Sequence, residues 1–493
     1  MTRTELPVLW TAGDTAAATN GTSQGPDWNA TGVSIDSRTV NPGDLFIALS
    51  GPNFDGHAYV ASALAAGAAA AVVSRRPDGV AADAPLVLVE DTFAALQDLG
   101  SVARLRSNAR IVAVTGSVGK TSTKEALGTC LAALAPTFAT VGSLNNHWGV
   151  PLSLARMPPD CTYAVFELGM NHAGEIGPLS RQVRPDVAVI TNIEAVHLAH
   201  FASVEAIADA KAEIFEGMAP NGAVVLNRDN PHYARLVAAA RTRGLSRVLG
   251  FGKADDAAAR LTDCSIHATC SAVTAVILGE TLRYCLSLPG RHHVTNSLAV
   301  LLAVHALGGD VAAAARALAT LKPIKGRGVR RRVQLAQGAA TVIDESYNAS
   351  PVSMEAAFQV LAKSDPGVGG RRIAVLGDML ELGERAPQLH LALAEPLKAA
   401  GADLVFCCGP NMRRLFDKLP AAARGAWEET SAALAPRLAA AVRAGDILMV
   451  KGSLGSRMAL LVEAVAALDT SSTSTKPSTE TPKDEAARAA RQG

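Results

Sequence analysis

Eight short apolar runs recur along this chain, and most are followed by a turn and then a helical stretch. They span residues 111–115, 163–167, 187–191, 223–227, 341–344, 373–376, 404–408 and 447–450. Runs of this kind, several rich in Val and Ile, fit strands buried on both faces of a parallel sheet with helical crossovers. Strand alternating with helix implies an α/β architecture. In such sheets ligands bind beyond the carboxyl ends of the strands, and most of the polar motifs of this chain stand there. Residues 272–278 and 282–288 break the rhythm. They alternate around Gly279-Glu280 and read as a hairpin.

With 493 residues, the chain has room for about three domains. One boundary is expected near residues 90–91, and a second at the basic, glycine-containing segment 322–332. The expected domains are therefore 1–91, 92–322 and 323–469. Residues 470–493 are Ser, Thr, Pro, Lys and Glu with few large apolar side chains, the composition of a disordered tail. Lys and Arg (46) nearly balance Asp and Glu (45), which argues against a coat for nucleic acid or an anionic membrane. Seven cysteines form an odd set with no C-x-x-C pair, which excludes a disulfide framework or zinc knuckle and fits a reducing cytosol. The best candidate for a membrane span, 58–74, is mostly alanine, carries Gly67 and falls short of the ~20 apolar residues a span needs. It reads instead as a small-residue helix running into a strand at 69–73. Residues 1–10 have no basic segment followed by an apolar core, so no signal peptide is expected.

The strongest local signal is Val-Ala-Val-Thr-Gly-Ser-Val-Gly-Lys-Thr-Ser at 112–122. A strand feeds a glycine-bearing loop that opens a helix, so backbone N–H groups and the helix N-terminus form an anion site. Thr115, Gly116, Ser117, Val118, Gly119, Lys120, Thr121 and Ser122 are the candidate nucleotide contacts. Lys120 can reach β- and γ-phosphates, and the Thr121 hydroxyl can ligate Mg²⁺. The usual phosphate-loop pattern has glycine where this chain has Val114.

Two further groups stand at strand ends. Glu167 closes the run 163–167, and His197 lies just past 187–191. A carboxylate and an imidazole could complete a magnesium site, although Mg²⁺ prefers oxygen, so ordinary hydrogen bonding is an equal reading for His197. Lys211 falls in a helical stretch, where a lysine is ordinarily a solvated charge. Asp229-Asn-Pro-His232 reads as a turn at the end of a strand.

Taken together the motifs resemble the Mur ligase family, the ATP-dependent amide-forming enzymes of peptidoglycan synthesis. The resemblance rests on Thr-Gly-Ser-Val-Gly-Lys-Thr at 115–121, Asn145-Asn146 with Gly-Val-Pro at 149–151, Glu-Leu-Gly at 167–169, His197, Lys211 in Lys-Ala-Glu-Ile-Phe, and Leu-Pro-Gly-Arg-His-His-Val-Thr-Asn ending at Asn296. Gly326-Arg327, Asp-Glu-Ser-Tyr-Asn at 344–348, Leu-Gly-Asp-Met-Leu-Glu-Leu-Gly at 376–383 and Val-Lys-Gly-Ser at 450–453 extend it over about residues 30 to 465, in family order. His147 stands where the family often has Asp, and Glu345 where Asp is expected.

The resemblance implies three domains: an N-terminal domain for a uridine-nucleotide substrate, a central phosphate-loop domain on a parallel sheet, and a C-terminal Rossmann-like domain. The terminal motifs are similar to the branch that joins D-Ala-D-Ala to UDP-MurNAc-tripeptide through an acyl phosphate. By resemblance, ATP and Mg²⁺ are cofactors, with Thr121, Glu167, His197 and a carbamylated Lys211 as metal ligands. Lys120, Lys211, His197 and Arg327 would be catalytic, Arg327 at the γ-phosphate, and Asn296 would contact the nucleotide base. Asp36, Ser37, Arg38, Asn145, Asn146, Asp344, Tyr347 and Asn348 are candidates for substrate contact. A cytoplasmic monomer that binds no nucleic acid is expected. Two alternatives stay open: another ligase on the same scaffold, such as the diaminopimelate-adding enzyme or a folylpolyglutamate synthase, and a nucleotide-binding regulatory protein that has lost catalysis.

Overall fold

The computed structural model describes residues 7–51, 54–196 and 199–473. The chain packs as two compact units. One runs through Lys322 and takes in Glu381–Glu384; the other holds Pro323–Leu380 and the chain from Arg385 onward.

The first unit is built on a nine-stranded sheet. Its order is Thr137–Ala139, Tyr163–Glu167, Arg110–Thr115, Val187–Ile190, Ala223–Asn227, Arg247–Gly252, Ala259–Ile266, Ser271–Ile277 and Glu280–Leu286. The pairings are parallel as far as Ala259–Ile266, where two antiparallel pairings begin. Arg110–Thr115 lies between two parallel neighbours, and successive side chains feed two different cores. Val112 and Val114 pack with Val165, Val189 and the helix Arg291–Ala306. Ile111 and Ala113 pack with Phe166, Ile190 and the helices Ile176–Val183 and Val204–Ala212. Two covered faces are why these runs are continuously apolar. In the hairpin, Leu278 and Gly279 have φ of +53° and +92°. Two consecutive left-handed residues match the twist of the flanking strands, and they set the strands one to two residues earlier than expected.

A five-stranded sheet covers the N-terminal region, in the order Thr22–Gln24, Leu86–Leu88, Ala70–Val73, Asp44–Ile47 and Gly32–Ser34. The alanine-rich stretch forms the helix Val60–Ala65 and then the strand Ala70–Val73. Among the described residues, no helix is long and apolar enough to cross a membrane. This N-terminal region is stitched to the helix Gly149–Ala155. Trp10 Nε1 donates to the Ala155 carbonyl at 2.9 Å, and Arg156 Nε to the Val33 carbonyl at 2.6 Å. Trp10, Leu152 and Ala155 share one core.

The second unit has six strands, in the order Val329–Leu335, Gly338–Glu345, Ile447–Lys451, Arg372–Gly377, Leu404–Cys408 and Arg424–Glu428. The first pair is antiparallel and the others parallel. The basic segment 322–332 is thus only partly a connection, because its second half is an edge strand. Arg331 and Arg332 are exposed there while Val333 is buried, the charged pattern that protects a free edge. Thr470–Thr473 forms one 3₁₀ turn, with Thr470 Oγ1 donating to the Gln334 carbonyl at 3.2 Å. The expected tail therefore starts in a turn, and its remainder lies outside the described residues.

Candidate active site

The loop 116–119 leaves the carboxyl end of Arg110–Thr115 and opens the helix Lys120–Ala132. Val114, where a glycine is usual, is buried inside the strand, in register with Glu167 and Val189. A β-branched residue suits that position, so the departure leaves the loop intact. Gly116 has φ +145°, and a β-carbon there would stand 2.0 Å from Thr191 Oγ1; Gly119 has φ +85°, and a β-carbon there would stand 2.5 Å from Asn296 Nδ2. Both positions therefore require glycine. The loop is pinned from the next strand. Thr191 Oγ1 donates to the Val118 carbonyl at 2.6 Å, the Ser117 N–H to the Asn192 carbonyl at 2.8 Å, and the Glu194 N–H to Ser117 Oγ at 2.9 Å. Lys120 Nζ donates to the Gly116 carbonyl at 2.7 Å, folding the ammonium over the loop. Ser122 Oγ donates back to the Gly119 carbonyl at 3.0 Å, so its hydroxyl caps the loop. Thr121 is buried, as is Thr115, whose Oγ1 has no hydrogen-bond partner among the described residues.

Glu167 is 1 % exposed at the end of its strand. Its Oε1 accepts from Asn145 Nδ2 at 2.7 Å, while Oε2 is buried with no hydrogen-bond partner among the described residues. A buried carboxylate oxygen without a donor is costly, and a divalent cation would relieve it. The Thr121 hydroxyl and the Glu167 carboxylate are both oxygen donors, which suits Mg²⁺. Asn146 has a different task. Its Oδ1 accepts from the Gly149 N–H at 2.9 Å, at the start of the helix Gly149–Ala155.

Lys211 is not a solvated charge. It is 1 % exposed on Val204–Ala212, and no described residue pairs with its ammonium. Burial pushes its ammonium well below the usual lysine range, and the Lys120 charge pushes the same way. The influence of Lys120 means that Lys211 stands near the phosphate loop. His197 lies outside the described residues.

Of the other candidates in this unit, Asp36 and Arg38 form a two-armed ion pair, at 2.9 Å from Nε to Oδ1 and 2.6 Å from Nη2 to Oδ2. The Arg38 side chain is 85 % exposed, so the pair contributes little to stability. Ser37 lies between them, half-buried. Asp229 lies in the turn that follows the strand Ala223–Asn227, as expected, and its carboxylate accepts from the backbone N–H groups of Lys253 and Ala254.

In the second unit, the Gly326-Arg327 turn and residues 344–348 form one cluster. Asp344 Oδ2 accepts from the Gly326 N–H at 3.0 Å, and the Tyr347 N–H donates to the Gly326 carbonyl at 3.1 Å. The Arg327 guanidinium stacks on the Tyr347 ring at 4.3 Å. Sequence reasoning gave Lys451 no role, yet it belongs here. It is 3 % exposed, and its Nζ donates to the Asn348 carbonyl at 2.9 Å and lies 3.5 Å from Glu345 Oε2. Burial lowers its proton affinity, and Glu345 opposes that. The parallel register Glu345↔Lys451 was the missing signal.

Residues 29–104 match the family model described as Mur ligase family, catalytic domain; 114–304 match Mur ligase middle domain; and 331–454 match Mur ligase, glutamate ligase domain. A UDP-N-acetylmuramoyl-tripeptide–D-alanyl-D-alanine ligase of Escherichia coli is 37% identical over 92% of this chain and 97% of its own length. A protein of the same name from Bacillus subtilis is 35% identical over 80% of this chain and 84% of its own. The crystal structure of MurF from Acinetobacter baumannii superposes with a TM-score of 0.79 at 32% identity, covering 93% of this chain and 99% of that one. MurF ligase from Thermotoga maritima, solved in complex with ADP, gives 0.71 at 28% identity, covering 89% and 97%. On three domain matches in order and identity over nearly the whole of a relative, the chain belongs to the Mur ligase family.

Proposed function

We propose that this chain joins D-Ala-D-Ala to UDP-MurNAc-tripeptide at the expense of ATP, releasing ADP and phosphate, in the cytoplasmic stage of peptidoglycan synthesis. The observation that carries the chemistry is one cluster: a phosphate loop beside a buried carboxylate oxygen and near a buried lysine, neither of which has a partner among the described residues. The names of the relatives supply the two substrates.

A carboxylate is a poor electrophile, and phosphoryl transfer between two anions needs charge neutralisation and alignment. The ATP γ-phosphoryl passes to the terminal carboxylate of the tripeptide, giving an acyl phosphate and ADP. The amine of D-Ala-D-Ala attacks the acyl carbon, phosphate leaves, and the amine proton is lost. The N–H groups of residues 116 and 118–121 hold the phosphates, and Lys120 follows the charge on the β- and γ-oxygens. Thr121, Glu167 and His197 would hold Mg²⁺, which when bound offsets phosphate charge. We assign Arg327 to the γ-phosphate on the family likeness, and Asn296 to the nucleotide. Residues 1–91 with Asp36, Ser37 and Arg38 would serve the uridine nucleotide, 92–322 ATP and the acyl transfer, with Asn145 and Asn146 as substrate contacts, and 323–469 with Asp344, Tyr347 and Asn348 the amine.

Lys211 as an ammonium would repel both Mg²⁺ and Lys120. Burial disfavours the ammonium form, and the neutral amine can add CO₂ to give a carbamate and a proton, turning a buried cation into a metal-binding anion. Lys211→Ala should lose activity and regain part of it with added formate or acetate, and full activity in the alanine variant would overturn the carbamate. The reaction itself is tested by phosphate release. It should require UDP-MurNAc-tripeptide and D-Ala-D-Ala together. Release with free diaminopimelate or glutamate in place of the dipeptide, or none at all, would refute the proposal.

A further inference from the structure

Lys124 is fully buried on the phosphate-loop helix, one turn beyond Lys120, and the mechanism above does not use it. Its ammonium donates to Glu125 Oε1 at 2.5 Å, to the Thr140 carbonyl at 2.6 Å and to the Gly142 carbonyl at 3.1 Å. A lysine has three donors, so this one is saturated and is not a phosphate ligand. Two of its three acceptors are backbone carbonyls of one short segment. That segment leaves the edge strand Thr137–Ala139 and runs without regular structure to Asn145. Asn145 then donates its side-chain amide to Glu167 Oε1, and its carbonyl accepts the Gly169 N–H at 2.8 Å.

The connection therefore runs from the phosphate-loop helix through Lys124 to residues 140–142, and through Asn145 to one oxygen of Glu167. An apolar side chain could fill the same space without the cost of burying a charge, but it could not hold two carbonyls. We infer that Lys124 is a positioning residue: it anchors the 140–145 segment so that Asn145 fixes Glu167 Oε1 and leaves Oε2 open to a divalent cation. The inference rests on the assignment of Glu167 as a metal ligand. Groups that orient a ligand in this way commonly change metal affinity or activity by roughly 10–100-fold when removed.

The test is calorimetric titration of the full chain with ADP, with and without Mg²⁺, alongside thermal unfolding. Wild type should gain ADP affinity with Mg²⁺. Lys124→Met should lose most of that gain, roughly 10–100-fold, while its metal-free ADP binding stays within about twofold; Asn145→Ala and Glu167→Gln should each lose the gain as well. Because Lys124 acts through Asn145, the Lys124→Met/Asn145→Ala double variant should be no worse than the weaker single variant. Should Lys124→Met fail to fold, Lys124→Arg replaces it. Arginine keeps the buried cation but presents a planar fork to three divergent acceptors, so part of the gain should go, and an undiminished gain overturns the inference. A Lys124→Met variant that keeps the gain while Glu167→Gln loses it also overturns the inference, as do losses that multiply in the double variant. If Glu167→Gln keeps the gain, the metal assignment itself falls, and this inference with it.

Discussion

Gly119→Ala tests the phosphate loop where two sequence motifs meet. Gly119 has φ +85°, and an added β-carbon would stand 2.5 Å from Asn296 Nδ2, closer than real β-carbons come to other heavy atoms. Left-handed backbone costs a non-glycine residue about 1–2 kcal/mol, and forcing an extra carbon into a packed site costs about 1–3 kcal/mol more. The sum, about 2–5 kcal/mol, is a sizeable part of the roughly 5–15 kcal/mol that holds a domain folded, so the variant should fold but unfold at lower urea. Either the Asn296 side chain or the loop must shift, and the backbone strain at residue 119 displaces the loop N–H groups. ADP affinity should fall at least tenfold, about 1.4 kcal/mol. The two costs can be separated. Asn296→Ala removes the clash but not the strain, so the double variant should recover the crowding part, about 1–3 kcal/mol. The cycle is read in urea unfolding, because Asn296 is itself assigned to the nucleotide. Wild-type stability and ADP affinity in Gly119→Ala alone would refute the reasoning, as would strictly additive stability losses.

Lys211→Met should raise the thermal midpoint at pH 7 in CO₂-free buffer while abolishing activity, because it replaces a buried amine that has no partner among the described residues by an apolar side chain. The sign of the pH dependence follows. The folded-state proton affinity of Lys211 is lowered, so between that value and the unfolded value of about 10.4 the unfolded chain binds more protons and stability rises with pH. The methionine variant should lose that slope in a series of unfolding scans. Arg327→Ala should lower kcat by roughly 100-fold in the coupled phosphate assay, and lysine at 327 should restore little, since it lacks the planar face that stacks on Tyr347. Asp446 is buried and accepts from Arg371 Nη2 at 2.6 Å and from the backbone N–H groups of Arg371 and Arg443. Asp446→Ala should therefore cost the second unit about 3 kcal/mol, seen as an earlier urea transition.

The parallel strands were legible because burial on both faces leaves a continuous apolar run, as in Val187–Ile190. The phosphate loop was legible because its glycines meet a local backbone demand that no distant residue can change. Other features depend on what folds against them. Lys211 shares its helix with Glu205 and Asp209, the company of a solvated face, and only packing against the sheet buries it. Three arginines in a row hid the strand Val329–Leu335, since charge on an edge strand looks like a linker until its partner Gly338–Glu345 is known. Lys124 next to Glu125 resembles an exposed ion pair, yet the lysine side chain is 0 % exposed and the glutamate 41 %. These lysines share one physical reason for staying obscure. A sequence pattern records the average preference of a charge for water, whereas a site is made of the exceptions, where enough partners or a missing one make burial useful. In this chain that distinction separates the buried lysines by task. Lys124 has a full set of acceptors and holds a segment in place, Lys451 has a carbonyl and a carboxylate in the second unit, and Lys211 has none among the described residues, which leaves its amine open to reaction.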